Sequence, residues 1–121
     1  MNKRERMLTI KKNWFKYHIP GCGNLMRVKR NAIFISAANS KEHEMKKCEI
    51  CYELKKIKHE FITEAERNRK RNEARVKVDI VDLTTGEEIE IETTKSRAKG
   101  LLEDEKHRNV KVIQLWRKEH S

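Results

Sequence analysis

The chain has 121 residues, of which 40% are charged and 36% are apolar. That length suits one domain with one modest core, and the apolar share lies above the level typical of disordered chains. No run of about 18 apolar residues is present, and no apolar segment follows the charged start of the chain. These features exclude a membrane-spanning helix and a signal peptide, so we expect a cytoplasmic protein with no membrane partner.

The net charge of +10 is concentrated at the N-terminal end of the sequence. Residues 1–41 hold ten Lys and Arg against the single acidic residue Glu5, which leaves +9 of the total there and +1 in the remainder. Basic groups that neutralise phosphates release condensed counterions, which is the source of most non-specific affinity for nucleic acid. We therefore expect a basic N-terminal arm or lobe, 1–40, joined to a core, 41–121, in one structural domain that binds nucleic acid. A solvated, solubilising surface is the simpler alternative.

The basic arm contains two segments with recognisable local patterns. Residues 13–24 combine aromatic residues with proline and two glycines, which predicts a segment with turns. Residues 25–37 alternate apolar and basic side chains, which predicts a short hairpin or one bent strand. The aromatic residues Trp14, Phe15 and Tyr17 either stack on bases in a basic groove or anchor the core.

The core shows a regular succession of predicted elements. Ser40 is a typical N-cap, and the apolar residues that follow it recur at helical spacing. Two β-branched, alternating segments separated by a turn with Gly86 predict a β-hairpin. The predicted elements are a helix over 41–58, strands over 60–65, 75–83 and 87–94, a helix over 96–107 and a strand over 109–116.

The predicted hairpin carries carboxylates on one face. Because side chains alternate in a strand, Lys77, Asp79 and Val81 share a face of one strand, and Glu90 and Glu92 share a face of the next. Two close carboxylates repel unless a divalent cation lies between them, and hard oxygen ligands suit Mg²⁺ or Mn²⁺. A metal so held can activate water and stabilise the charge that develops on a phosphodiester. Acidic residues on the wet face of a hairpin are, however, also ordinary.

The segment Ser40–Trp116 resembles the αβββαβ core of the PD-(D/E)XK nuclease superfamily. The sequence VDIVDLTTGEEIEIETTK matches the family motif with Asp79, Gly86 and Glu92 at fitting spacing. The resemblance implies a restriction-endonuclease-like α/β fold with a basic N-terminal extension. It further implies a Mg²⁺- or Mn²⁺-dependent endonuclease that hydrolyses phosphodiester bonds in DNA rather than RNA, with Asp79 and Glu92 as metal ligands.

Three further positions match features of some members of the superfamily. Glu64 corresponds to an upstream Glu on the first strand, and His43 with Lys47 resembles the helical H-x-x-x-K of competence-protein-like relatives. Thr94, however, occupies the position of the family lysine, so that role would pass to Lys95 or to Lys77. The catalytic residues that the resemblance implies are Glu64, Asp79, Glu92 and Lys95.

Two alternatives follow from this departure. In another register Glu90-x-Glu92 forms the pair, with Glu92 in the place of the lysine. A chain with a degenerate motif would bind nucleic acid through the nuclease fold without cutting it. A homodimer that spans a duplex is compatible with both alternatives. Both also predict contacts with phosphates, and the predicted nucleic-acid-binding residues are Arg67, Arg69, Lys70, Arg71, Arg97 and Lys99.

The three cysteines are an odd number and argue for free thiols in a reducing compartment. Cys48-x-x-Cys51 lies within the predicted helix, and no second CxxC exists to complete a zinc site. We therefore expect buried thiols, and we keep a zinc-stabilised module built on Cys22, Cys48 and Cys51 as the less favoured alternative.

Overall fold

The computed structural model describes residues 1–93 and 109–115. In these ranges the chain is a mixed α/β protein with two helices and one five-stranded sheet, ordered β1-β2-β3-β4-β5. Neighbouring strands are antiparallel except for β4 and β5, which are parallel. No helix within these ranges is long and apolar enough to cross a membrane. The elements are α1 (Lys3–Trp14), β1 (Tyr17–His18), α2 (Lys41–Lys56), β2 (Phe61–Arg67), β3 (Lys77–Asp82), β4 (Glu87–Glu92) and β5 (Val110–Gln114).

The helix predicted after Ser40 is confirmed as α2. The Ser40 side chain accepts a hydrogen bond from the His43 N–H at 3.1 Å, which satisfies one of the unpaired donors of the first turn. Acidic residues in the first turn and lysines in the last turn complement the helix dipole. The helix therefore begins and ends where its local signals indicate.

The four strands predicted in the core are confirmed as β2 to β5, and the predicted helix over 96–107 lies outside the described residues. Gly86, in the turn between β3 and β4, has a φ of 84°. A Cβ at this position would also lie 3.3 Å from the Asn13 side chain, whose Nδ2 donates to the Leu83 carbonyl at 2.8 Å. The turn therefore needs glycine both for its backbone and for the approach of α1.

The structure of the N-terminal third differs from the prediction. Residues 3–14 form a helix whose Ile10 is fully buried against the sheet. The hairpin or bent strand predicted for 25–37 is wrong, because the structure forms no strand between residues 19 and 40, all of which it describes. Asn31 has a φ of 59°, and the Thr63 hydroxyl, rather than a strand ladder, holds the Phe34 N–H at 2.9 Å. Side chain to backbone bonds thus attach this segment to β2.

Each face of the sheet has its own apolar core. The first core, on the α1 side, also receives Tyr17 and Val28, and the second, on the α2 side, receives Cys51 and Leu54. Strands β2 and β3 contribute Ile62, Ala65, Val78 and Val81 to the first core, which also includes Leu83 directly after β3, and the sheet contributes Phe61, Ile80, Ile89 and Ile91 to the second.

The alternation of side chains breaks in the middle of β2 and β3. Glu64 has a φ of 51°, in the left-handed region that non-glycine residues rarely occupy. The prediction that Asp79 and Val81 share one face of β3 is wrong, because Asp79 contacts α2 while Val81 lies in the first core. Residues three apart consequently join the same core, namely Ile62 with Ala65 and Val78 with Val81.

Candidate metal and catalytic site

Asp79 lies at the point where β3 and β4 part. The backbone pairing between the two strands ends at Ile80 and Ile89. Beyond it, the Asp79 Oδ2 accepts the Ile91 N–H at 2.8 Å, as a backbone carbonyl of a continuing ladder would. The side chain of Asp79 is only 15% exposed. The break in the sheet therefore places a carboxylate inside the fold rather than on its surface.

His43, in the first turn of α2, links two carboxylates. Its Nε2 lies 3.2 Å from the Asp79 Oδ2, and its Nδ1 lies 2.5 Å from the Glu44 Oε2. The ring contacts a carboxylate oxygen through each of its two nitrogens, which fixes its orientation. The helix thus holds Asp79 in position through His43.

Glu90, on β4, carries the clearest sign of crowded negative charge. Burial, the charge of Asp79 and a hydrogen bond with it, and then the charges of Glu88 and Glu92, raise the pKa of Glu90 to about 9. The ionised form is penalised because each of these neighbours is a carboxylate. At neutral pH Glu90 therefore carries a proton that an exposed glutamate would lose.

Lys47, which is fully buried, balances part of the negative charge of the neighbouring glutamates. Its Nζ lies 2.7 Å from the Glu44 Oε1 and 2.6 Å from the Glu64 Oε1, and it donates to the Phe34 carbonyl at 3.0 Å. Burial alone would raise the pKa of Glu44, but hydrogen bonds from Lys47, the Ser36 N–H and His43 lower it to about 2. Burial would likewise lower the pKa of Lys47, yet its two carboxylate partners raise it.

Lys77, on β3, is a second lysine that contacts Glu64. The Nζ of Lys77 lies 2.7 Å from the Glu64 Oε2, so Glu64 is held between Lys77 and Lys47. We call Glu44, Glu64, Asp79, Glu90 and Glu92, together with His43, Lys47 and Lys77, the carboxylate cluster. It contains five carboxyl groups and two lysines.

A polar cavity of about 250 Å³ opens beside the cluster. Among the described residues no three Asp, Glu, His or Cys side chains converge as ligands of one metal ion. The donor chemistry nevertheless suits Mg²⁺ or Mn²⁺, since hard carboxylate oxygens are available and a divalent cation would offset the charge that raises the pKa of Glu90. The cavity is lined by Ala38, Asn39, Ser40, His43, Asp79, Ile91, Glu92 and Thr93.

The structure brings three of the four predicted catalytic residues into this cluster. Asp79 and Glu92 line one cavity, while Glu64 is joined to it through Lys47, Glu44 and His43. Lys77, the alternative to the family lysine, also belongs to the cluster. The other predicted residues of this region, Lys95, Arg97 and Lys99, lie outside the described residues, as does Thr94.

Sequence reasoning missed Glu44. This residue binds both His43 and Lys47 and is only 7% exposed. Its position in the first turn of an amphipathic helix gives the usual signal of a dipole-complementing, solvated acid. Only its place between His43 and Lys47, which together match the helical H-x-x-x-K, indicates a buried role.

The four predicted nucleic-acid-binding residues that the structure describes separate into two groups. Arg67 forms an ion pair with Glu88, and the Tyr17 hydroxyl donates to the same carboxylate at 2.7 Å. Arg69, Lys70 and Arg71 instead line a second cavity at the far end of β2.

The aromatic residues of the arm pack rather than form a free stack. The Trp14 Nε1 donates to the Val28 carbonyl at 2.7 Å, and Trp14 packs against the first core. Tyr17 is buried, and half-exposed Phe15 lies beneath the Arg27 guanidinium, 4.7 Å from its ring centre. In this structure Trp14 and Tyr17 therefore anchor the core, which is the second of the two roles that the sequence allows.

The cysteines do not form a ligand set in the described part of the chain. Cys51 is fully buried, and burial raises the pKa of its thiol to about 12. Cys48 is partly buried and Cys22 is exposed. The described residues around Cys51 are instead those of the second apolar core.

No protein-family model matches the chain, and no curated protein or solved structure is significantly similar to it. A mixed α/β sheet of this size supports many unrelated chemistries, so the fold alone assigns none. The assignment of function therefore depends on the geometry of the chain's own residues.

Proposed function

We propose that the protein is a metal-dependent endonuclease with a restriction-endonuclease-like core, and that it hydrolyses phosphodiester bonds in DNA. The observation that supports this most directly is the carboxylate cluster at the parting of β3 and β4, where the pKa of Glu90 is raised to about 9. Strongly perturbed carboxyl groups beside a cavity are typical of functional sites. The order of helix, three antiparallel strands and a last parallel strand also agrees with the proposed core over the described residues.

Asp79 and Glu92 are the proposed ligands of Mg²⁺ or Mn²⁺, and a bound metal would supply an activated water and stabilise the charge on the phosphodiester. Asp79 is positioned by His43 and by the Ile91 N–H, so its carboxylate is already oriented. Glu90 holds a proton at neutral pH and can release it when the local negative charge is reduced. Lys77 takes the role of the family lysine in this scheme, with Lys95 as its alternative.

The test is cleavage of a panel of labelled DNA substrates in Mg²⁺ and in Mn²⁺. We expect Asp79→Asn and Glu92→Gln each to lower the cleavage rate by at least about a hundredfold, because each removes a charge from the metal site. Glu87→Gln is the matched control, since Glu87 lies on the same strand but lines a different cavity. Loss of activity in Asp79→Asn and Glu92→Gln but not in Glu87→Gln supports the proposal.

A non-catalytic nucleic-acid-binding protein is the second candidate. It is favoured by the fully buried Lys47, whose carboxylate partners form the kind of ion-pair network that stabilises structure without any reaction. This candidate predicts salt-sensitive binding of DNA by wild type and by Asp79→Asn alike, without cleavage in either metal. That result would contradict the endonuclease proposal.

Two further parts of the proposal concern the state of the protein in the cell. We place it in the cytoplasm, and we expect two copies to act together because one small chain covers little of a duplex. Light scattering of the purified protein with and without duplex DNA measures the second expectation. A monomer under both conditions would contradict it.

A further inference from the structure

A second polar cavity, of about 400 Å³, lies at the end of β2 beyond the carboxylate cluster. We call it the basic cavity. Its wall includes the exposed turn Gly21–Asn24 and the buried side chains of His18 and Glu66. Its four cationic side chains are those of Arg69, Lys70, Arg71 and Arg75.

Glu66 fixes the geometry of this cavity. Its two carboxylate oxygens accept hydrogen bonds from the Arg75 Nε and Nη2 at 3.0 and 3.1 Å, a bidentate pair that orients the guanidinium. The Gly21 N–H donates to the same carboxylate at 3.2 Å, and Gly21 adopts a φ of 80° in the turn. One buried carboxylate therefore holds both an arginine and the turn on the opposite wall.

The cavity retains an excess of positive charge after Glu66 is counted. Within the described residues the Lys70 and Arg71 side chains make no hydrogen bond or ion pair, so their charges are not balanced there. Four cations against one carboxylate leave a surplus of three. A phosphomonoester carries a charge of about −2, whereas an internal phosphodiester carries about −1, so the surplus suits the end of a strand better than its middle.

The basic cavity and the Glu64 part of the carboxylate cluster are neighbours on one face of the sheet. Ala65 points into the first core, so Glu66 beside it points to the other face, and Glu64 lies on that face because it contacts Lys47 of α2. Lys77 pairs with Glu66 in the sheet, and its Nζ reaches Glu64, which joins the two regions. Glu64 and Glu66 are two residues apart on β2, which is roughly 7 Å along a strand.

From this geometry we infer that the basic cavity binds the terminal phosphate of a nucleic-acid strand. This inference takes from the proposed function only that the ligand is a nucleic acid. It does not require that the protein cleaves the strand. A strand held by its end in the basic cavity extends along the face that carries Glu64.

The test measures binding in buffer that contains a chelator, so that no strand is cut. Fluorescence anisotropy compares one short labelled oligonucleotide with a 5′-phosphate, with a 3′-phosphate and with neither. We expect one of the phosphorylated forms to bind at least about tenfold more tightly, because the Lys70 and Arg71 side chains can form charge-assisted hydrogen bonds with a terminal phosphate. The preferred form identifies which end is bound.

Three variants make this experiment specific. Lys70→Ala combined with Arg71→Ala should abolish the preference for a terminal phosphate, and both side chains are exposed, so the fold should be retained. Lys55→Ala combined with Lys56→Ala removes the same charge from the exposed end of α2 and should keep the preference. Asp79→Asn should also keep it, which separates this inference from the endonuclease proposal.

Cys22 provides an independent measurement, because it is exposed and lines the basic cavity. The phosphorylated oligonucleotide should slow alkylation of Cys22, detected by peptide mass spectrometry, while the unphosphorylated form should not. Equal affinities for the three oligonucleotides would overturn the inference. So would competition by inorganic phosphate at the same concentration as the oligonucleotide, since the cavity would then select free phosphate.

Discussion

Glu64 and Glu66 lie two residues apart on β2 but belong to regions of opposite character. Glu64 lies in the carboxylate cluster, where five carboxyl groups share two lysines, and Glu66 lies in the basic cavity, where four cations surround one carboxylate. The strand supplies the same residue type twice, and the difference comes from other elements. Helix α2 and strand β4 bring acids to Glu64, whereas the loop after β2 brings arginines to Glu66. Local sequence therefore does not determine the electrostatic character of a strand position.

The largest expected effect is the removal of the buried cation from the cluster. Lys47→Met leaves Glu44 and Glu64 without their shared partner in a buried site, so we expect a loss of about 3–5 kcal/mol in the free energy of unfolding. Urea unfolding followed by tryptophan fluorescence measures it. The matched variant Lys46→Met removes a lysine whose partner, Glu49, is largely exposed, and should cost less than about 1 kcal/mol. Similar losses in both variants would contradict the prediction.

The second largest effect is expected at Glu90, whose ionised form is penalised by the neighbouring carboxylates. Glu90→Gln should stabilise the protein at pH 8 by on the order of 2–4 kcal/mol, because one unit of pKa displacement corresponds to about 1.4 kcal/mol. The pKa of Glu90 is about 9 in the folded chain against an ordinary 4.5. Its contribution to stability is therefore fully present below about pH 4.5 and is lost as the pH rises to about 9.

Urea unfolding between pH 5 and pH 9, in the presence of a chelator, measures this pH dependence. The wild type should lose stability with rising pH more steeply than Glu90→Gln, while the control Glu87→Gln should follow the wild type. Added Mn²⁺ should stabilise the wild type at pH 8 and have a smaller effect on Asp79→Asn. A Glu90→Gln variant less stable than the wild type at pH 8 would show that the crowding of charge is absent.

The smallest effect lies in the basic cavity and has the opposite pH dependence. A hydrogen bond from Arg75, with the Gly21 N–H, lowers the pKa of Glu66 from 4.5 to about 2 against the effect of burial. The corresponding stability is present above about pH 4.5 and is lost as the pH falls to about 2. Since the Arg75 side chain is 58% exposed and screened by solvent, we expect Glu66→Gln to cost about 1 kcal/mol at pH 7 and little near pH 2. Thermal unfolding at these two pH values tests it, and an equal cost at both would contradict it.

The elements that could be predicted from the sequence are those with strong local signals. Ser40 and the apolar spacing after it define α2, and Ile89 and Ile91 alternate with acids along β4. Helix α1 carries weaker signals, because its apolar stripe consists only of Met7, Ile10 and Trp14 among many charged residues. The segment 25–37 has strand-like alternation, but its contacts with Thr63 replace the ladder that a strand would need.

The members of the carboxylate cluster could largely be named from the sequence, but their arrangement could not. Asp79, Glu92 and Glu64 were expected to meet, yet strict alternation would have given Asp79 the same face as Val81. The break in alternation depends on Glu64 in a left-handed conformation, which no residue pattern indicates for a glutamate. Lysines from two other elements hold it there, so the break is a tertiary effect.

The left-handed backbone of Glu64 places two opposed demands on a single position. Its conformation suits glycine and costs a glutamate about 1–2 kcal/mol, whereas the two lysines beside it require a carboxylate. Selection for stability alone would favour glycine at position 64, whereas selection for the carboxylate cluster would keep glutamate in its strained left-handed conformation. A substitution of Glu64 that relaxes the backbone would therefore increase the stability of the fold and remove a carboxylate from the cluster.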